Sequence, residues 1–281
     1  MVLKRLLPLG ALMLATCTAF QASSSATCPP SRFRSDRTLI IAHASGEWFG
    51  PANSIEMLAG ARAAGADLID LDVRQTSDGE LVGGHDDRIG QLSISSSTLA
   101  ELRRIDLRDT WPNPDARVFH NPIRIPTVQD LFDAFPDTQI SLEFKTTGGE
   151  QALCDLLRTS GRMDDVYVSS AGDAAVDRYK RICPEATTTV TDAMVPIMLA
   201  ARANGQAWCS PVPIGQPPLQ AGSGIDAFRL TTEGVDWDHE HGLAVYTWTA
   251  DDNASLRYVA TLGADAVYTA RSDLARPILH P

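Results

Sequence analysis

Residues 66–87 read ADLIDLDVRQTSDGELVGGHDD, and the apolar run in the first half of this stretch predicts a buried β-strand. Asp70 and Asp72 interrupt the run at alternate positions. Because side chains alternate along a strand, both carboxylates point to the same side. Leu68, Ile69, Leu71 and Val73 around them indicate that the strand is buried on both faces. Two like charges in such a strand need a positive partner, and a metal ion is one candidate.

Strand-like and helix-like segments alternate from residue 38 onward. Examples of predicted strands and helices are TLIIAH (38–43), SIEMLAGARAAG (54–65), QISLEFK (139–145) and AWCSPV (207–212). About eight such β-then-α units predict an α/β protein with a closed (β/α)8 TIM barrel. The alternative is an open doubly wound sheet, but AHASGEWFGP (42–51) lacks the Gly-x-Gly-x-x-Gly loop that would favour it. Residues 86–125 break the alternation and predict a long loop or small excursion.

The composition is that of a folded globular protein with a large core. The chain has 281 residues, of which 44% are hydrophobic and 21% are charged. Its formal net charge of −11 argues against a surface for nucleic acid or anionic membranes, because those partners require a basic patch. The same charge is compatible with a small anionic substrate that a metal ion holds.

The first residues predict a signal peptide, because two basic residues precede a short apolar run and a group of small residues. Cleavage is expected after Ala26, with Ala22 as the second choice, so residues 1–26 form the signal and 27–281 the barrel domain. The mature chain is then secreted or periplasmic and has no integral membrane segment. Lipid attachment at Cys17 is a weaker alternative, because Thr16 is a poor residue before such a cysteine.

Four cysteines remain after removal of the signal, in an oxidising compartment where disulfides form. Their spacing matches no zinc pattern, and four cysteines allow three complete pairings. Cys154 and Cys183 fall on predicted helices that follow consecutive strands, which makes them neighbours on the outer ring of a barrel. We therefore expect a disulfide between these two residues.

Six ionisable residues end four consecutive strand-like segments. In a (β/α)8 barrel the functional groups lie at the carboxyl ends of the strands. A lone histidine there is usually structural, and a Glu-x-Lys pair is usually a surface salt bridge. The joint pattern favours one functional mouth, because buried charges without partners are unstable. The six residues are His43, Asp70, Asp72, His85, Glu143 and Lys145.

These residue types predict a particular chemistry. Asp70, Asp72 and Glu143 make a set of hard oxygen ligands that suits Mg²⁺ or Ca²⁺. His43 and His85 can act as general acid and base near neutral pH. Lys145 and its neighbours thus indicate a site for an anionic substrate, and the combination favours phosphoryl transfer or phosphodiester cleavage.

The same residues resemble the glycerophosphodiester phosphodiesterase family. The similarity covers about residues 38–275, and the resemblance implies a TIM barrel with a divalent metal at Asp70, Asp72 and Glu143. It also implies His43 and His85 as acid and base, Lys145 on the phosphate and Trp248 lining the pocket of a small-molecule phosphodiester. Trp248 as a barrel-core aromatic is the alternative. The motifs are HAS (43–45), PANS (51–54), DLDV (70–73), TSDG (76–79), HDD (85–87), EFK (143–145), IPTVQDLFDAFP (125–136) and the region around YTWTADD (246–252).

Two positions depart from the family pattern. The arginine that follows the first histidine in the family is Ala44 here, and the glutamate of Pro-Glu-Asn-Thr is Ala52. Arginine binds phosphate through two parallel hydrogen bonds that lysine cannot mimic. We therefore expect a pocket remodelled for a bulkier or differently shaped diester, with Trp48 and Phe49 in contact with it. Arg74 is expected at the surface, although its spacing from the second aspartate allows it to face the mouth.

Three functions remain open from the sequence. The leading hypothesis is a metal-dependent phosphodiesterase that hydrolyses glycerophosphodiesters to an alcohol and glycerol phosphate. The second is a phospholipase D-like lyase of the sphingomyelinase D type, which forms a cyclic phosphate and also lacks an arginine after its first histidine. The third is a non-catalytic protein that binds phosphodiesters and keeps the metal site.

Overall fold

The computed structural model describes residues 27–112, 119–170, 172–222 and 228–281. The predicted signal peptide, with both candidate cleavage sites and Cys17, lies outside these residues. The barrel and the residues predicted for its mouth all lie within them.

Eight parallel strands form the barrel that the sequence predicts. Their order around the barrel is β5-β4-β3-β2-β1-β8-β7-β6, so the first and last strands are neighbours. An isolated parallel bridge between Thr189 and Ile214 joins the two ends and nearly closes the barrel. The strands are β1 (Leu39–Ala42), β2 (Leu68–Gln75), β3 (Ile140–Phe144), β4 (Val166–Ser170), β5 (Thr187–Thr188), β6 (Ile214–Gly215), β7 (Ala244–Thr247) and β8 (Ala266–Thr269).

Helices connect the strands and form the outer layer. Side chains that accept hydrogen bonds from backbone N–H groups fix several helix starts, for example Ser54 before α1 and Thr127 before α3. Within the described ranges, no helix is long and apolar enough to span a bilayer. The helices are α1 (Ile55–Ala63), α2 (Leu99–Leu102), α3 (Val128–Ala134), α4 (Glu150–Ser160), α5 (Asp173–Ile182), α6 (Met194–Asn204), α7 (Thr232–Glu240), α8 (Asn253–Val259) and α9 (Ser272–Leu279).

The alternation along β2 places its two aspartates inside the barrel. Ile69, Leu71 and Val73 point outward and join the cluster between the strands and the helices. Leu68, two positions before Asp70, belongs instead to the apolar cluster inside the barrel. The inner cluster occupies the level below the mouth, so the carboxylates of β2 lie directly above apolar side chains and are buried.

The segment that ends at His85 is not a barrel strand, contrary to its place in the predicted series. Leu81–Gly83 pairs with β2 in an antiparallel hairpin, and the third barrel strand comes only at Ile140. The TSDG turn causes this return, because Gly79 adopts a left-handed φ of 91°. Gly84 N then donates to the carbonyl of Asp72, so the hairpin brings His85 back to the level of the aspartates.

The strand predicted at AWCSPV (207–212) is wrong, since β6 begins only at Ile214. Pro211 and Pro213 lack the N–H groups that a strand ladder requires. Trp208 stacks on Trp237 of α7, with ring centroids 5.9 Å apart, which places this segment in the outer layer. The excursion predicted at residues 86–125 contains two two-residue strands, the short α2 and a 3-10 turn in its described part.

Two disulfides link the described cysteines. The expected Cys154–Cys183 bridge is present and joins α4 to the end of α5, with a Cα–Cα distance of 5.8 Å. The second bridge joins Cys28, ahead of β1, to Cys209, ahead of β6, across a sequence separation of 181 residues. It completes one of the three pairings that the cysteine count allowed.

Candidate active site

The acidic residues of β2 and β3 meet at the mouth because these strands are neighbours in register. Asp70 pairs with Ser141 and Asp72 pairs with Glu143 along the two parallel strands. Lys145 follows β3, and its backbone N–H donates to the carbonyl of Val73. The structure therefore brings together four of the six ionisable residues that the sequence pattern selected.

Lys145 bridges two of the carboxylates. Its Nζ lies 2.7 Å from Glu143 Oε1 and 3.1 Å from Asp72 Oδ1. Burial lowers the pKa of Lys145, but the charges of Asp72 and Glu143 outweigh this effect and leave the pKa raised. The ammonium is thus held in its charged form at the barrel mouth, where it can attract an anion.

The other oxygen of Asp72 is held by the loop that follows β1. Asp72 Oδ2 accepts hydrogen bonds from Ser45 Oγ at 3.1 Å and from Asn53 Nδ2 at 2.8 Å. Asn53 Oδ1 in return accepts from the backbone N–H of Asp72 at 2.9 Å. Asn53 is buried and has a left-handed φ of 56°, a conformation that asparagine tolerates better than most residues. This reciprocal pair fixes the orientation of the Asp72 carboxylate.

Asp70 lies deeper than Asp72 and has a different environment. Its Oδ2 accepts from the backbone N–H of Ala44 at 3.2 Å, and the hydroxyl of Ser141 also stabilises the charged form. Burial raises the pKa of Asp70 well above its usual value, and the charges of Asp72 and Glu143 raise it further. With all three carboxylates ionised, the cluster would carry more negative charge than the single ammonium of Lys145 neutralises.

The three carboxylates fit a divalent cation by chemistry and by charge. Their ligand atoms are all hard oxygens, and a cation would relieve the repulsion that raises the pKa of Asp70. The oxygens of Asp70, Asp72 and Glu143 do not all lie within 4.8 Å of one another. Among the described residues, the group that meets this spacing is Cys154, Cys183 and Glu185, whose two sulfurs form a disulfide.

His43 follows β1 and lies beside this cluster. Its backbone N–H donates to the carbonyl of Thr269, which ties it to β8, and its ring meets the edge of Tyr268 at a centroid distance of 6.2 Å. Burial lowers the pKa of His43 more than the nearby charges of Asp72, Asp251 and Glu143 raise it. The neutral imidazole, which can accept a proton, is therefore favoured near neutral pH.

His85 lies on the wall of a cavity of about 400 Å³ that also includes Ser45 and Asn53. Its side chain is half exposed, and its Nδ1 is 3.0 Å from Asp86 Oδ1, which leaves Nε2 available for proton transfer. Arg74 holds this segment, because its Nε and Nη2 both donate to the carbonyl of His85. Arg74 thus positions the backbone of a predicted catalytic residue.

Trp248 lies at the end of β7, on another part of the mouth. It is 47% exposed, so it is not a barrel-core aromatic. Its Nε1 donates to the carbonyl of Gln216, whose side-chain amide in turn donates to the hydroxyl of Tyr268. Tyr268 also shares hydrogen bonds with Ser141 and Tyr167, so a polar network connects Trp248 to the floor beneath Asp70.

The two alanines that replace the arginine and glutamate of the family lie at opposite ends of one loop. Ala44 is fully buried, whereas Ala52 lines the cavity. The carbonyl of Ala44 accepts a hydrogen bond from Asn53 N at 2.9 Å, which brings the two positions close together. The cavity therefore extends into space beside Ala52 that a longer side chain would occupy.

Sequence reasoning did not select the residues that hold the cluster in place. Ser45, Asn53 and Ser141 each hydrogen bond to an aspartate of β2, and Tyr268 supports Ser141. Ser45 lies in the HAS motif and Asn53 in the PANS motif, so these two motifs were the sequence signal for them. The signal for Ser141 was its position two residues before Glu143, on the same strand face.

Comparisons with known proteins cover nearly the whole barrel. The sequence profile described as the glycerophosphoryl diester phosphodiesterase family matches residues 44–274. A glycerophosphodiester phosphodiesterase of Bacillus subtilis is 23% identical over 292 aligned positions, which cover 96% of this chain and 96% of that protein.

Solved structures of low sequence identity share the fold. The glycerophosphoryl diester phosphodiesterase domain of a Mycobacterium tuberculosis protein is 20% identical, with a TM-score of 0.76 over 87% of this chain and 100% of that one. An Oleispira antarctica phosphodiesterase, solved in complex with the product sn-glycerol-3-phosphate, is 20% identical, with a TM-score of 0.67 over 87% and 98%. The profile match extends from the loop after β1 into α9, and on that match this chain belongs to the glycerophosphoryl diester phosphodiesterase family.

Proposed function

We propose that this protein is a metal-dependent phosphodiesterase that hydrolyses glycerophosphodiesters to an alcohol and glycerol phosphate. The observation that carries the proposal is the cluster of Asp72, Glu143 and Lys145 at the barrel mouth, above the buried Asp70. Family membership supports the reaction class, and the glycerol phosphate bound to the Oleispira antarctica relative supports the product.

The residues of the mouth have distinct proposed roles. Lys145 attracts the anionic phosphate, while Ser45 and Asn53 keep Asp72 oriented toward the site. His43 and His85 transfer protons, one from the attacking water and one to the oxygen of the leaving alcohol. Trp248 contacts the organic part of the diester, because it lies exposed at the edge of the mouth.

The proposed ligands of a divalent metal are Asp70, Asp72 and Glu143. When bound, Mg²⁺ or Ca²⁺ would withdraw charge from the phosphate oxygens and so make the phosphorus easier to attack. The donor chemistry of the three carboxylates supports either ion, since both prefer oxygen ligands. The excess negative charge around Asp70 supports a divalent ion over a further basic side chain.

The proposed enzyme acts outside the cytoplasm, secreted or periplasmic, after removal of residues 1–26. The predicted signal peptide motivates this proposal, and the two disulfides support it, because such bonds persist in oxidising compartments. Edman sequencing of the exported protein tests it. A mature chain that still begins before residue 22 would contradict cleavage at either expected site.

The direct test is an assay of glycerophosphocholine by phosphorus NMR, with Mg²⁺, Ca²⁺ or EDTA. We expect glycerol phosphate to form with a divalent ion and turnover to stop in EDTA. Glu143→Gln should lose about 100-fold or more in kcat/KM, because it removes one of the negative charges that would hold a divalent ion. The matched control is Glu80→Gln, an exposed carboxylate in the TSDG hairpin. Full activity in EDTA would overturn the proposal.

The histidines are tested by pH profile and substitution. His43→Ala and His85→Ala should each lose on the order of 100-fold in kcat, and the wild type should show a bell-shaped dependence on pH. His120→Ala, at an exposed position, is the matched control. An unchanged kcat in His85→Ala would remove that residue from the mechanism.

The same NMR assay distinguishes the two other hypotheses. A cyclic phosphate product would identify the lyase, in which a substrate hydroxyl replaces water as the nucleophile. Metal binding by calorimetry without turnover of any phosphodiester would identify a non-catalytic binding protein.

A further inference from the structure

Among the described residues, the large apolar side chains that are exposed all follow the carboxyl ends of barrel strands. Trp48 follows β1, Phe228 follows β6, and Trp248 follows β7. Three more lie on α6, the helix that follows β5. The six residues are Trp48, Val195, Ile197, Leu199, Phe228 and Trp248, and we call them the apolar rim.

The strands that carry the apolar rim are consecutive around the barrel. The strand order places β1, β8, β7 and β6 side by side, and the bridge between Thr189 and Ile214 adds β5. The intervening β8 is followed by Arg271, whose guanidinium stacks on Trp48 at 3.7 Å. In the described segments that follow β2, β3 and β4, no large apolar side chain is exposed. The apolar rim is therefore one arc of the mouth.

Helix α6 contributes the largest part of this arc. Its first eight residues, MVPIMLAA, include no charged side chain, and Ala201 is the residue of the helix that the barrel buries. Ile197 is 59% exposed and Leu199 is 52% exposed. A surface helix normally turns its apolar side toward the core, so an apolar solvent-facing helix indicates contact with something outside the domain.

Phe228 and Trp248, which follow β6 and β7, are linked through backbone hydrogen bonds. The carbonyl of Trp248 accepts a hydrogen bond from Leu219 N at 2.6 Å. The next residues, Gln220–Ala221, pair in antiparallel fashion with Phe228–Arg229. This connection places Phe228 on a hairpin that starts directly beside Trp248.

We propose that the apolar rim docks the enzyme onto a zwitterionic phospholipid surface, so that amphiphilic phosphodiesters enter the mouth from the lipid. A lipid surface can contact this arc of the mouth and still deliver substrate to Lys145, whereas a protein partner seated there would obstruct entry. Tryptophan favours the lipid–water boundary, because its ring is apolar and its N–H is polar. The substrate class rests on the proposed phosphodiesterase activity, whereas the docking itself does not.

The negative net charge of the chain favours a zwitterionic lipid surface over an anionic one. With a formal net charge of −11, the protein is repelled by an anionic surface and not by a zwitterionic one. Arg271, which stacks on Trp48, is already paired with Asp273 at 2.8 Å. Arg229, next to Phe228, stacks on the ring of Tyr258 at 3.8 Å. Docking should therefore depend on apolar contact and depend little on salt.

The first test is cosedimentation with phosphatidylcholine vesicles. Wild type should sediment with them. The double variant Ile197→Ser with Leu199→Ser should bind at least about tenfold more weakly, because it lacks two exposed apolar side chains that would enter the lipid. Ala200→Ser, exposed on the same helix, is the matched control and should bind like wild type. Mixed phosphatidylcholine–phosphatidylglycerol vesicles should bind less protein than pure phosphatidylcholine.

Equal binding by wild type and the double variant, or no binding by either, would overturn the docking proposal. Sedimentation equilibrium tests whether α6 instead contacts a second copy of the chain. If wild type is a dimer, the double variant is a monomer and neither binds vesicles, α6 is a dimer interface and the docking proposal is overturned. Circular dichroism spectra that match wild type establish that the variants are folded.

Activity separates a failure of docking from a failure of the proposed function. The double variant should hydrolyse soluble glycerophosphocholine like wild type but lose about tenfold in kcat/KM on micellar lysophosphatidylcholine. If wild type hydrolyses glycerophosphocholine but not micellar lysophosphatidylcholine, the proposed amphiphilic substrate class is wrong, whereas the proposed phosphodiesterase activity is supported. If wild type hydrolyses neither substrate, the proposed phosphodiesterase activity is wrong. The vesicle-binding experiment then still tests the docking proposal by itself.

Discussion

Replacing Asn53 with alanine removes both hydrogen bonds by which this residue holds Asp72. Asp72 Oδ2 loses the donor at 2.8 Å, and the buried backbone N–H of Asp72 loses its acceptor at 2.9 Å. Loss of a hydrogen bond to a charged group and of a partner for a buried N–H together lowers the free energy of unfolding by about 2–4 kcal/mol. Alanine at a φ of 56° adds about 1 kcal/mol.

Asn53→Gly separates the two effects, because glycine adopts a positive φ without a steric penalty. It should be about 1 kcal/mol more stable than Asn53→Ala while losing the same hydrogen bonds. Urea unfolding measures both free energies, and the melting temperature of Asn53→Ala should fall by roughly 10 °C.

Activity tests whether Asn53 acts by orienting Asp72. Both variants should lose about 10- to 100-fold in metal affinity or in kcat/KM, which is usual when a residue that supports a metal ligand is removed. Folded Asn53→Ala with wild-type metal affinity and kcat/KM would refute the reasoning, since Asp72 would then hold its orientation without Asn53.

Three further predictions concern other parts of the molecule. Removing the Cys154–Cys183 bridge by serine substitution of both residues should lower the free energy of unfolding by about 3.5 kcal/mol, given the separation of 29 residues, as measured by urea titration. Burial raises the pKa of Asp238 to about 6, so ionising this carboxyl as pH rises from 4 to 6 lowers the free energy of unfolding by up to about 3 kcal/mol. Asp238→Asn should therefore have a higher free energy of unfolding than wild type at pH 7 but not at pH 4, as measured by urea titration. Ala44→Arg alone should help little on glycerophosphocholine, whereas combining it with Ala52→Glu should raise kcat/KM by more than the sum of the single effects, and additive effects would contradict the coupling of the two positions.

The barrel was predictable because its signal is repeated along the chain. Alternating apolar strands and amphipathic helices are a local pattern, and the outward set Ile69, Leu71 and Val73 follows directly from a period of two residues. The shared face of Asp70 and Asp72 follows from the same period. Strand β6 was not predicted, because it has only two residues and they follow a proline. The segment before it, AWCSPV (207–212), has the composition of a strand but does not form one.

The contacts that position the site were not predictable in the same way. Asn53 contacts Asp72 from another part of the fold, nineteen positions away along the chain. The periodicity of apolar residues within a strand or helix does not predict such a contact. The antiparallel hairpin likewise depends on how the Gly79 turn folds back on β2. The placement of the bridging ammonium of Lys145 depends on the register of β2 and β3, which strand patterns leave undetermined.

The bridge between Cys28 and Cys209 has a consequence for how the protein responds to proteolysis. It makes the chain from before β1 to before β6 a single covalent ring that contains the first five barrel strands. One cut in the excursion at residues 86–125 therefore opens the ring without releasing a fragment, and the two pieces separate on a gel only after reduction. A second cut inside the ring is needed before any of the first five barrel strands can diffuse away.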